Sequence, residues 1–133
     1  MNFAAIMAAL AMLESGNNPS AIGTRGERTA WQMMPHVIRQ YPDLAKDPAN
    51  EILGRKYAQE ELLHRIWHFE AEHNRVPTIQ EVGLLWHCPA HVLHPNAAES
   101  DYAERFENLV TACLSDAKTR NTRTDSSASA HRR

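Results

Sequence analysis

Residues 2–19 read Asn2-Phe3-Ala4-Ala5-Ile6-Met7-Ala8-Ala9-Leu10-Ala11-Met12-Leu13-Glu14-Ser15-Gly16-Asn17-Asn18-Pro19 and join a strongly apolar stretch to an abrupt polar turn. Ala, Met, Ile and Leu are strong helix formers. No Gly or Pro interrupts them before Gly16, and they are apolar nearly all round, so the stretch predicts a buried central helix. Gly16 and Pro19 stop it. The helix carries one acid, Glu14, on its last turn. A carboxyl at the junction of an apolar helix and a polar loop is partly desolvated, which favours the neutral form that a general acid needs. Acids are disfavoured at the negative end of a helix dipole, and an apolar helix offers no partner, so merely ending the helix is a poor account of Glu14.

Beyond Gly16 the chain meets Pro19, Gly23, Gly26 and Pro35, with Asn and Ser among them, which predicts a loop folded around a ligand site. A second helix is expected from Pro35 or His36 to Tyr41, ended by Pro42. Asp47 and Pro48 are read as the cap and first position of the longest helix. From Ala49 to about Asn74, Leu53, Tyr57, Leu62, Leu63, Ile66, Trp67 and Phe69 recur at three and four and predict one inward face. Thr78 and Glu81 form a capping-box pattern that opens another helix, ended by Pro89. A last helix runs from about Ser100 to Asp116, with Tyr102, Phe106, Leu109, Val110 and Cys113 inward. No strand pattern of convincing length and no repeat occurs. The fold class is all-α.

The 133 residues suit one domain with a single core. Residues 118–133 hold Lys118, Arg120, Arg123, Arg132 and Arg133 against Asp125 alone. That segment is therefore +4 within a chain of net charge −2, and residues 1–117 carry −6. The expected organisation is a folded body over 1–117 and a disordered basic tail over 118–133, which has nothing apolar to bury. So acidic a body, without a basic groove, argues against nucleic-acid binding. No run of about 18 apolar residues exists, so no membrane span is expected. The apolar segment Phe3 to Leu13 lacks preceding positive charges and runs into Glu14, so it is read as a structural helix and no signal peptide is evident. Cys88 and Cys113 permit at most one disulfide and are expected as half-buried thiols.

The string Glu14-Ser15-Gly16-Asn17-Asn18-Pro19-Ser20-Ala21-Ile22-Gly23, followed by Gly26-Glu27 and Trp31-Gln32-Met33-Met34-Pro35, resembles the first signature of the soluble lytic transglycosylases of the lysozyme-like superfamily. Asp47-Pro48-Ala49-Asn50-Glu51-Ile52-Leu53-Gly54 resembles the second. The resemblance implies a lysozyme-like helical domain that cleaves the β-1,4 bond between N-acetylmuramic acid and N-acetylglucosamine in peptidoglycan. It implies that Glu14 protonates the glycosidic oxygen and then acts as base on the muramic 6-hydroxyl, giving a 1,6-anhydro product. One carboxyl can do both jobs in turn if it holds its proton near neutrality. Gln32 matches the amide that lines the cleft beside the acid, and Trp31 offers a flat face to a sugar ring. Ser15 is read as hydrogen-bonding Glu14 or capping the turn.

Two positions depart from the family pattern. Thr29 stands where a second Gly is usual, and because a β-branched residue is a poor substitute at positive φ, a loop of different shape is expected. The third signature, Tyr-Asn-Ala-Gly, aligns with Trp86-His87-Cys88-Pro89, which keeps an aromatic and lacks the Asn and Gly. Trp86 and His87 are carried over as substrate-lining residues.

Three further constellations remain. Glu27 is the candidate second carboxylate for a hydrolytic lysozyme, which would need it roughly 6.5–9.5 Å from the acid to hold a water; its plain alternative is a surface pair with Arg25 or Arg28. His64 and His68, spaced i, i+4 with Glu72 a turn further, could chelate a metal, but no third ligand is marked, so neither metal nor cofactor is expected. His91 and His94 lie in a short loop bounded by Pro89 and Pro95 and could line the cleft. The expected function is a peptidoglycan lytic transglycosylase, monomeric, in the periplasm or cell envelope. The alternatives are a catalytically degenerate glycan-binding module and the hydrolytic lysozyme using Glu27.

Overall fold

The computed structural model describes the backbone of residues 1–130 and the side chains of residues 1–123, and all its regular structure is helical. Six α-helices follow in order: α1 (Phe3–Ser15), α2 (Pro35–Ile38), α3 (Pro42–Lys46), α4 (Glu51–His73), α5 (Ile79–His87) and α6 (Ala97–Ala130), with a single 3-10 turn over Pro89–His91. Among the described residues there is no strand, only an isolated antiparallel bridge between Arg28 and Met33. No helix among them is long and apolar enough to cross a membrane.

α1 begins where Asn2 accepts the Ala5 N–H and ends at Gly16, whose φ of +65° a residue without Cβ adopts freely. The Gly16 and Asn17 N–H groups donate back to the Met12 and Ala11 carbonyls, closing the end of the helix. Ile6, Met7 and Leu10 of α1 are fully buried and share a core with Leu44, Leu62, Val82 and Phe106. Each such side chain contributes about 1.5–3 kcal/mol on leaving water.

The middle of the chain differs from its expected boundaries at two prolines. Pro42 does not merely end a helix; it occupies the first turn of α3, where its missing N–H leaves no bond unmade. Asn50, not Asp47, caps α4, accepting the Leu53 N–H, while Asp47 holds the Asn50 amide and backbone N–H in the turn before it. Along α4 the expected inward face holds for Leu62, Ile66 and Phe69, but Trp67 lies 58% exposed. Thr78 and Glu81 form the reciprocal capping box that opens α5.

α5 packs against α6 through Gly83, where an added Cβ would stand 2.6 Å from the Phe106 ring. α6 opens on a second reciprocal pair: Asn96 accepts the Glu99 N–H, and Glu99 accepts the Asn96 N–H. Far from ending near Asp116, α6 continues to Ala130 through most of the segment expected to be a disordered tail. No Gly or Pro stands between Ala97 and Ala130 to stop it, and the Thr119 and Thr122 hydroxyls donate to the carbonyls four residues back. Residues 131–133 of that tail lie outside the described residues.

Candidate active site

Glu14 stands at the end of α1 facing a cleft of about 560 Å3 that is also lined by Glu27, Gln32, Arg65, Trp86 and His87. Its side chain is 15% exposed. α1 supplies no partner for it, as expected, but two other helices do. The Tyr102 hydroxyl of α6 donates to Glu14 Oε1 at 2.9 Å, and His87 Nδ1, at the end of α5, lies 3.2 Å from the same oxygen. Oε2 makes no hydrogen bond among the described residues. The His87 and Tyr102 rings stack at 4.0 Å with an interplanar angle of 11°, so both partners are held in one rigid arrangement.

The electrostatics of this cluster follow from those contacts. His87 is shifted above the usual histidine value by its hydrogen bond to Glu14, with burial opposing. Tyr102 is pushed far up by burial and by the neighbouring carboxyl, so its hydroxyl stays protonated well above neutral pH. Burial and a hydrogen bond to Glu99 raise the Cys88 thiol to about 12, which makes it inert as a nucleophile.

The expected site residues divide between cleft and scaffold. Glu14, Glu27, Gln32, Trp86 and His87 come together at the cleft. Gln32 is turned into it by a backbone φ of +54°, and its amide nitrogen donates to the Thr29 and Ala21 carbonyls, tying the loop to itself. Glu27 is engaged by the loop backbone, accepting the Arg25 N–H at 2.9 Å, instead of pairing with the guanidinium of Arg25 or Arg28. Trp86 is held from two sides: its indole N–H donates to the Trp31 carbonyl, and Arg65 lies 4.9 Å over its ring. Arg65 also donates to the Leu85 and Trp86 carbonyls, satisfying the C-terminal end of α5.

Two expected site residues are scaffold. Trp31 is buried at 4% exposure, with its indole N–H donated to the Met7 carbonyl at 2.8 Å; it is a core residue that offers no face to a sugar. The Ser15 hydroxyl does not reach Glu14. It donates to the Ala30 carbonyl at 2.6 Å and accepts the Asn18 N–H, pinning the end of α1 to the loop that carries Trp31. The third correction concerns loop shape. Thr29 itself adopts φ +72° while fully buried, with its hydroxyl accepting the Trp31 N–H, so the β-branched residue occupies the conformation a glycine would have taken.

No known family model, curated protein or solved structure matches this chain.

Tyr102, Arg65 and Glu99 are the residues of this region that the sequence reading missed as site residues. Tyr102 was legible only as an inward position of α6, and its role depends on how α6 crosses α1. Arg65 lies on the polar side of a helix read for its apolar face. The Asn96-x-x-Glu99 pattern is a capping signal in the sequence, hidden by placing the helix start at Ser100. The Glu99 carboxyl meets His91 Nδ1 at 2.7 Å, and its acidity is strengthened first by the Asn96 N–H and then by His91. His64, His68 and Glu72 are all exposed, with the His64 ring tilted against Trp67 at 5.9 Å. Among the described residues no cluster of His, Cys, Asp and Glu is arranged to hold a metal ion. Both cysteines are free and half-buried.

Proposed function

We propose that the protein is a lysozyme-like lytic transglycosylase of the cell envelope that cleaves the β-1,4 bond between N-acetylmuramic acid and N-acetylglucosamine in peptidoglycan strands. The observation that carries this reading is the state of the Glu14 carboxyl: one oxygen is gripped by Tyr102 and His87, and the other has no partner beside an open cleft. A carboxyl so held has a fixed orientation and one oxygen available to a substrate. It can donate its proton to the glycosidic oxygen as the bond to C1 breaks. It can then take the proton of the muramic 6-hydroxyl while that oxygen bonds to C1, which closes the 1,6-anhydro ring without a water nucleophile.

Gln32 would meet the glycan through its side-chain amide oxygen, and Trp86, only 7% exposed, would form part of the cleft wall beside it. The protein would act as a monomer and needs no cofactor for this chemistry. The test is to incubate the protein and its Glu14→Gln variant with purified peptidoglycan and identify the released fragments by mass spectrometry. Anhydro-muramic products from the parent alone support the reading. Absence of any fragment overturns it in favour of a glycan-binding module.

Glu27 motivates a second reading, hydrolysis, because it lines the same cleft as Glu14 and is anchored there by a backbone N–H. In that case the fragments would end in reducing sugars, and Glu27→Gln would abolish their release.

A further inference from the structure

Where the sequence departs from the family's third signature it places an imidazole on the acid itself. We propose that His87 and Glu14 hold one catalytic proton between them, His87 being a positioning residue that extends upward the pH range over which Glu14 can serve as acid. This inference rests on the transglycosylase reading of Glu14 and adds to it a second proton-holding group that a lone carboxyl lacks.

The geometry supplies the argument. His87 Nδ1 is 3.2 Å from Glu14 Oε1, and stacking on Tyr102 at 4.0 Å fixes the imidazole plane so that this contact persists. Tyr102 donates to the same oxygen, which leaves Oε2 as the atom through which the pair exchanges its proton with substrate. Groups acting on His87 are Glu14 from α1 and Tyr102 and Glu99 from α6, while Cys88 and His91 of the turn after α5 line the same cleft. Tyr102 and Cys88 remain protonated across the relevant range, and Glu99 is engaged by Asn96 and His91. Glu14 is therefore the partner that His87 contacts directly. The upward displacement of His87, caused chiefly by the Glu14 hydrogen bond, agrees with that assignment.

The cycle balances. The proton of the pair rests either on the imidazole, whose Nδ1–H donates to Oε1, or on Glu14 Oε2, and from Oε2 it passes to the glycosidic oxygen as the C1–O bond breaks. Glu14 then takes the proton released by the 6-hydroxyl as its oxygen bonds to C1, and the pair is restored with no net gain or loss. Interacting sites of this kind titrate as a unit, so the alkaline limit of activity belongs to the pair and not to the carboxyl alone.

The test has two arms. First, the imidazole of His87 is titrated by NMR in the parent and in Glu14→Gln, the signal being assigned by its loss in His87→Gln. The midpoint in the parent is expected above the ordinary histidine value and should fall in Glu14→Gln; equal midpoints overturn the pair. Second, the pH–rate profile of peptidoglycan cleavage is compared between the parent and His87→Gln, whose amide can still donate to Glu14 but cannot titrate. The alkaline limb of the variant should move to lower pH, whereas a merely structural role would lower the rate and leave the limb where it was, which overturns the proposal. A parent that cleaves nothing at any pH defeats the transglycosylase reading, and the NMR arm then still decides whether the two groups share a proton.

Discussion

The Tyr102 hydroxyl and Glu14 Oε1 lie 2.9 Å apart although 88 residues separate them in the chain. The contact exists because α6 packs along α1 and carries Tyr102, itself 8% exposed, to the end of the helix that bears the acid. It orients the carboxyl with a donor that never ionises under working conditions.

Tyr102→Phe keeps the ring and its stacking on His87 while deleting that donor. A hydrogen bond to a charged group contributes about 1.5–3 kcal/mol, so the rate of peptidoglycan solubilisation should fall by about 10- to 100-fold. The melting temperature should fall as well, because the folded state loses that hydrogen bond, while the His87 contact to Glu14 and the ring stacking remain. A rate within twofold of the parent would mean that the hydroxyl does not orient the acid.

Trp31→Phe should act in the opposite way. It removes the buried indole N–H that donates a second hydrogen bond to the Met7 carbonyl, a loss of about 0.5–1.5 kcal/mol. Chemical denaturation should register that loss, and KM for solubilised glycan strands should stay near the parent value. A raised KM with unchanged stability would return Trp31 to the cleft as a sugar platform.

What was legible in the sequence followed from local chemistry. The apolar run of α1, the Gly16 stop and the Thr78/Glu81 box are each decided within a few residues, and all three appear as read. The all-α class follows from the same periodicities. Trp31 could not be assigned from its neighbours, because core and platform tryptophans share the same flanking residues and differ only in where the indole N–H finds its acceptor, here 24 residues away. The partners of Glu14 were hidden for the same reason, since Tyr102 and His87 reach it only through the packing of α6 onto α1 and of α5 onto α6. The extension of α6 is not legible from composition, because Ser, Thr and Arg offer nothing apolar to bury, whereas the absence of any helix-breaking residue is what carries it on.

The Thr78/Glu81 box carries a pH signature. Glu81 is depressed to about 2, first by its bidentate contact with Arg75 and further by the Thr78 N–H, with burial opposing. A folded value below the unfolded one means that this carboxylate adds stability that is fully present above about pH 4.5 and is lost as pH falls toward 2. The stability gap between the parent and Glu81→Gln, measured by urea denaturation, should therefore be constant near neutrality and shrink from about pH 4.5 downward. A gap that stays the same at pH 3 would assign the contribution to the geometry of the cap instead of its charge.

Two helix-interior glycines should respond to alanine with opposite signs. In an exposed helix the exchange stabilises by about 0.5–1 kcal/mol, because glycine loses more backbone freedom on folding. At Gly54 the new methyl would meet Thr29 and Trp31 side-chain atoms at 3.4–3.5 Å, which is ordinary contact, so Gly54→Ala should keep that gain and raise the melting temperature. At Gly83 the methyl would stand 2.6 Å from Phe106 Cδ1, and Phe106 is fully buried with no room to retreat. Overpacking of that kind costs about 1–3 kcal/mol, which exceeds the propensity gain, so Gly83→Ala should lower the melting temperature. The consequence reaches the cleft, since α5 carries Trp86 and His87 on its last turn: pushing α5 away from α6 would part the His87 ring from Tyr102 and draw Nδ1 off Glu14. Gly83→Ala should therefore lose activity even at temperatures where it stays folded, while Gly54→Ala retains it. Equal activities in the two variants would show that the spacing of α5 and α6 does not govern the acid.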